Sequence, residues 1–165
     1  MIQRKQTLFL FAAFLLIIGQ TFGSLCTITS SYNVDGTEIT NIIRPMAFGI
    51  DNSEIGNIQS PISIYYGAMV ILTGLLSFVA IFLFKKRTLQ MRITIFALFA
   101  SIILLGLEGY YLWDTVSTIK ESIETYSILY SYVLAIPLIN VALLFFAHRL
   151  ILRDEVLVRS NDRLR

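Results

Sequence analysis

Residues 62–87 read ISIYYGAMVILTGLLSFVAIFLFKKR. The run 62–84 holds no charged side chain, opens near Tyr65 and Tyr66, and stops at Lys85, Lys86 and Arg87. A bilayer core about 30 Å thick takes about 20 apolar residues of helix, so the run reads as a membrane-spanning helix. Tyrosines at one end and cationic residues at the other give it polarity.

Working outward, three more segments share this character: 7–25, 93–112 and 126–147. The first fades through Gln20 and Thr21, the third carries Glu108 near one end, and the fourth is broken by Pro137. The link 85–92 is short, so 62–84 and 93–112 pair as an antiparallel helical hairpin. The predicted fold class is all-α membrane, a four-helix transmembrane bundle in one domain over 1–165. Composition agrees, with 56% apolar residues, 15% charged and a mean hydropathy of +0.73. An ordinary soluble domain is about 45–50% apolar and about 25% charged. The segment 7–25 follows Arg4 and Lys5, so a cleaved secretory signal competes with a retained helix. The bonds before Cys26 fit cleavage only in part, because Leu25 precedes the cysteine.

Eleven of the thirteen Lys and Arg fall on one side of this topology. They are Arg4, Lys5, Lys85, Lys86, Arg87, Arg92, Arg149, Arg153, Arg159, Arg163 and Arg165; only Arg44 and Lys120 fall on the other. The positive-inside rule places the eleven, and both termini, in the cytoplasm. Tyr65, Tyr66, Tyr110, Tyr111, Trp113, Tyr126, Tyr130 and Tyr132 then line the outer interface.

The outer loop 26–60 opens as a β-hairpin. Asp35-Gly36 is a two-residue turn signal of the type I′ kind. Pairing Val34 with Thr37 sets Tyr32 opposite Ile39, Ser30 opposite Asn41 and Ile28 opposite Ile43 on one face. That face is the more apolar, so the hairpin is expected to lie on something. Residues 44–60 read as irregular. Val116, Ile119 and Ile123 have helical spacing and extend the third or fourth helix beyond the membrane. The tail 149–165 continues the fourth helix, with Leu152, Val156 and an i,i+4 pair Glu155–Arg159.

Chemistry-bearing motifs are missing. One cysteine, Cys26, and one histidine, His148, allow neither an internal disulfide nor a zinc site. No phosphate loop, zincin helix or nucleophile elbow is present. No enzyme activity, cofactor, metal or nucleic-acid partner is expected.

Glu108 is the one ionisable residue inside a span. It lies 16 residues past Arg92, about 24 Å along a helix, which makes it an acid near the outer interface. The sharper reading is an intramembrane polar site made with Gln20 and Asn140. Pro137 is expected to kink the fourth span by removing the bond to the Val133 carbonyl, with Asn140 bonding a neighbouring helix. Ser63, Gly67, Gly74, Ala97 and Ser101 suit close helix packing. His148 reads as a solvated flank. In the tail, Arg153, Asp154, Glu155, Arg159, Asp162 and Arg163 make an ordered mix of both signs. They read as a topology anchor touching anionic lipid, or as a docking site for a cytoplasmic protein partner.

The two ends of the chain are distinctive. They are Met1-Ile2-Gln3-Arg4-Lys5-Gln6-Thr7-Leu8 and Asp154-Glu155-Val156-Leu157-Val158-Arg159-Ser160-Asn161-Asp162-Arg163-Leu164-Arg165. Both resemble the ends of the bacterial domain-of-unknown-function family 4293, small four-helix proteins of Gram-negative bacteria. The resemblance runs the full length and implies an inner-membrane location, with no activity attached. The expected role is a non-catalytic scaffold or regulator working through the tail. The alternative is a small transporter or lipid-binding protein acting as a homo-oligomer in the bilayer.

Overall fold

The computed structural model describes residues 3–34, 37–53, 56–58, 61–122 and 126–162. Four helices form the body: α1 (Gln3–Phe22), α2 (Pro61–Phe82), α3 (Arg87–Ser122) and α4 (Ile136–Asp162). Each packs on two neighbours, in the ring α1, α2, α3, α4 and back to α1. A 3-10 turn over Leu83–Lys85 joins α2 to α3.

Burial follows a seam of alternating three- and four-residue steps, the spacing of helices that supercoil left-handedly. On α1 the seam is Gln6, Leu10, Ala13, Ile17 and Gln20. On α3 it is Gln90, Thr94, Ala97, Ser101, Leu104, Glu108, Tyr111, Thr115 and Ile119. The outward faces are more apolar than these seams. Leu8, Phe11, Phe22, Ile64, Leu75, Phe82, Phe96, Phe99, Ile103, Leu138 and Phe145 are all exposed. Buried hydroxyls bond back along their own helices, as Thr73 does to the Met69 carbonyl (2.8 Å) and Thr94 to that of Gln90 (2.8 Å).

Three helical stretches, Pro61–Phe82, Arg87–Lys120 and Tyr132–Leu157, are long and apolar enough to cross a membrane. The apolar part of α1, Gln6–Phe22, is shorter.

A five-stranded antiparallel sheet caps one end. Its strands are β1 (Cys26–Val34), β2 (Thr37–Met46), β3 (Gly49–Asn52), β4 (Gly56–Ile58) and β5 (Tyr126–Tyr130), in the order β4-β3-β2-β1-β5. The register of β1 on β2 is the expected one, with Ile28 opposite Ile43, Ser30 opposite Asn41 and Val34 opposite Thr37. The expected face lies inward: Cys26, Ile28 and Ile43 pack on Ile119, with Leu112 and Val116 alongside. The Asp35-Gly36 turn lies outside the described residues.

Three expectations are corrected. The described part of 44–60 is not irregular, because β2 runs to Met46 and β3 and β4 extend the meander. Pairing with an existing strand satisfies the backbone even where Gly, Asn and Ser have weak strand preference. The segment 126–147 is not one helix. Tyr126–Tyr130 is a strand on the free edge of β1, and a 3-10 turn over Tyr132–Ala135 leads into α4. A short run rich in aromatic and β-branched residues fits either state by periodicity, and the open edge decides it. Pro137 therefore sits in the first turn of α4, where no helical bond is lost, and makes no mid-helix kink. Residues 113–122 continue α3, which makes that helix 36 residues, or about 54 Å, long.

Sheet and bundle meet at Gly67. A Cβ there would stand 2.5 Å from the Ala47 carbonyl oxygen and 2.6 Å from the Phe48 ring. Only glycine lets the β2–β3 turn approach α2 this closely.

Candidate functional site

The seam of α1 carries a glutamine at each end. Gln6 and Gln20 are 14 residues apart, close to four helical turns, so both face the bundle axis. Each meets a different polar group.

At the sheet end, the Gln20 amide donates to the Tyr66 hydroxyl of α2 at 2.7 Å. Glu108 of α3 lies within electrostatic range of that hydroxyl. The acid is 2% exposed, and neither carboxylate oxygen has a hydrogen-bond partner among the described residues. The Gln20 Oε1 is likewise buried without one. Helices α1 and α3 are diagonal in the ring, so Tyr66 bridges them from the side. Its ring stands 5.6 Å from that of Tyr111, one turn beyond Glu108. The Tyr111 hydroxyl reaches the carbonyls of Met46 (3.3 Å) and Gly49 (3.1 Å), linking the cluster to the sheet.

Glu108 is thus an acid of the bundle interior, brought beside Gln20 through Tyr66. The aromatic belt also divides: Tyr65, Tyr110, Trp113, Tyr130 and Tyr132 are exposed, while Tyr66 and Tyr111 are buried.

Midway along the bundle, the Asn140 amide donates to the Ser101 hydroxyl at 3.2 Å, and that hydroxyl lies 3.5 Å from the Pro137 carbonyl. The Asn140 Oδ1 is buried without a partner among the described residues. Asn140 thus bonds a neighbouring helix as expected. It is not placed in contact with Gln20 or Glu108; its partner Ser101 lies seven residues, about 10 Å, down α3 from Glu108.

At the far end, the Gln6 amide donates to the Asp154 carboxylate and to the Leu150 carbonyl of α4. Gln90 donates to the Ala80 carbonyl at 3.0 Å, closing α2 on α3. Of the tail residues, Asp154 turns inward, while Arg153 is exposed on α4. Glu155 is partly buried, and α4 carries the backbone of Arg159 and Asp162. Arg163 lies outside the described residues. His148 is partly buried, not a solvated flank, and its Nδ1 has no partner among the described residues.

Sequence reasoning missed Tyr66, Tyr111, Gln6 and Gln90 as members of polar clusters. The available signal was the seam itself, in which polar residues recur at three- and four-residue steps between apolar ones. Among the described residues, no group of three or more His, Cys, Asp or Glu could hold a metal.

The chain matches the family described as a domain of unknown function (DUF4293) over residues 2–164. No curated protein matches it.

Proposed function

We propose, from the premise that this chain belongs to the DUF4293 family, that it is a four-span membrane protein with a non-catalytic role. Both termini lie in the cytoplasm of a bacterial cell, in its inner membrane, and the sheet lies outside. The protein scaffolds or regulates a cytoplasmic partner through its C-terminal tail. The observation that carries the membrane part is the inverted burial, in which the α3 seam holds Gln90, Ser101, Glu108 and Thr115 and the exposed face holds Phe96, Phe99 and Ile103. Such a face is stable in lipid and costly in water.

The tail part is supported by α4, which runs eight residues past Asp154 and exposes Leu152 and Val156 one turn apart. Truncation after Leu157 keeps the Gln6–Asp154 contact and removes Arg159, Asp162 and Arg163. Partner capture with full-length and truncated protein should give different partners, and identical sets would end this reading. Orientation is checked in a Cys26→Ser background. Ser31→Cys, at an exposed sheet position, should label with an impermeant thiol reagent in intact cells, and Lys86→Cys should label only after lysis.

A second reading, a small transporter or lipid-binding protein working as a homo-oligomer, is favoured by one observation. The Glu108 carboxyl is buried on the bundle axis without a partner among the described residues. Intramembrane acids are expensive and mark ion or proton pathways. Loss of a transport phenotype in Glu108→Gln but not in the Leu157 truncation would select this reading over the first.

A further inference from the structure

At the end away from the sheet, α1 and α4 border an open groove of about 510 Å³ lined by Phe9, Phe146, Arg149, Leu150 and Arg153. We propose that this groove binds one anionic glycerophospholipid, with its phosphodiester held between Arg149 and Arg153 and an acyl chain laid along Phe9 and Phe146. The inference rests on the membrane reading above and is independent of any tail partner.

The walls differ in chemistry. Phe9 and Phe146 meet with ring centroids 6.3 Å apart and give an apolar floor shared by two helices. Arg149 and Arg153 are one turn apart on α4, a rise of about 6 Å, and line the groove chiefly with their alkyl stems, which leaves their guanidinium groups at its rim. Both are exposed, and neither makes an ion pair among the described residues. The adjacent acid does not neutralise them, because Asp154 is turned to Gln6. Two like charges on successive turns of one helix disfavour each other, and an anion between them removes the repulsion. The planar fork of donors on each matches phosphate oxygens.

A free anion would leave the phenylalanine floor wet, and a neutral lipid would leave the arginines unmatched. An amphiphile with an anionic head satisfies both. The groove falls within the range of about 300–1,000 Å³ typical of ligand sites, room for a headgroup and the first part of a chain. Arg149 and Arg153 lie three and seven residues past Phe146, so the groove spans the depth where chains give way to headgroups. Basic pockets between helices on the cytoplasmic side are where anionic lipids are held.

The test uses the full chain in vesicles of phosphatidylcholine and phosphatidylglycerol, with retained lipid read by native mass spectrometry after gentle extraction. The wild type should keep one phosphatidylglycerol in preference to phosphatidylcholine. Arg149→Gln and Arg153→Gln should each lower that preference about fivefold, and together abolish it. Lys86→Gln with Arg92→Gln removes the same charge from exposed positions at the same end and should leave it intact. Equal losses in the two double variants would reduce the site to diffuse surface charge and overturn the proposal. So would displacement of the lipid by inorganic phosphate alone, which would mark a site for a soluble anion. Alkaline extraction of the vesicles keeps the two claims apart. Wild-type protein that washes off defeats the membrane reading, and protein that stays inserted without lipid preference defeats only the lipid site.

Discussion

The two ends of the bundle use similar residues and reach opposite results. Each has a glutamine of α1 and an acid of another helix. At the far end, Gln6 and Asp154 lie on neighbouring helices and bond directly, with the Leu150 carbonyl as a further acceptor. At the sheet end, Gln20 and Glu108 lie on diagonal helices, and the Gln20 amide goes to Tyr66 instead. The first pair is a fastening. The second leaves three buried acceptor oxygens without donors among the described residues, two on Glu108 and one on Gln20. A buried acceptor without a donor costs free energy and persists where something else holds the structure. Here the sheet holds it, docked through Gly67 and through Tyr111.

If packing holds the sheet end, the largest stability loss should come from Gly67→Val. Its Cβ would collide with backbone at Ala47, and no rotamer relieves that. A loss of about 3 kcal/mol, at the upper end of overpacking costs, is expected in thermal or denaturant unfolding in detergent. Gly74→Ala, facing a movable methyl of Ile17 at 3.2 Å, should cost far less. Equal losses would show that sheet docking contributes nothing special.

The far end should answer to polar substitution. Gln6→Leu removes the donor from Asp154 and should cost about 1–2 kcal/mol, the usual cost of leaving a buried acceptor unsatisfied. A neutral result would mean that the pair is no fastening.

Glu108→Leu should behave in the opposite way. Removing a buried acid that makes no hydrogen bond among the described residues should leave stability within about 0.5 kcal/mol of wild type, or raise it. A loss like that of Gln6→Leu would show that Glu108 is held as firmly as Asp154, and the contrast between the ends would fall.

The smallest expected effect is at Cys26, 0% exposed beneath the sheet. Burial pushes its thiol up from 9.0 to about 11. Thiol reagents should therefore leave it unlabelled at pH 8 until denaturant opens the sheet. A folded pKa above the unfolded one means that its contribution is intact below about pH 9. That contribution is lost as pH rises through about 11. Rapid labelling of native protein at pH 8 would show that the sheet end opens readily.

The long apolar helices were legible because their signal is local. Length, lack of charge and flanking lysines need no partner to be read, and on that basis 62–84 covers α2 with the start of the 3-10 turn after it, and 93–112 lies within α3. The hairpin register was legible for the same reason, since alternation and a two-residue turn fix Val34 on Thr37. Family membership was carried by the two chain ends and covers residues 2–164.

What the sequence could not decide were choices that depend on a neighbour distant in the chain. Tyr126–Tyr130 is a strand because β1 offers an open edge about 100 residues earlier in the sequence. Pro137 begins a helix rather than bending one because that strand ends just before it. Glu108 is buried because four helices close around the seam position it occupies, which helix length alone does not show. Apolar periodicity reports which face of a helix turns inward, but the partners met there, Tyr66 for Gln20 and Asp154 for Gln6, are set only when four helices close around one axis.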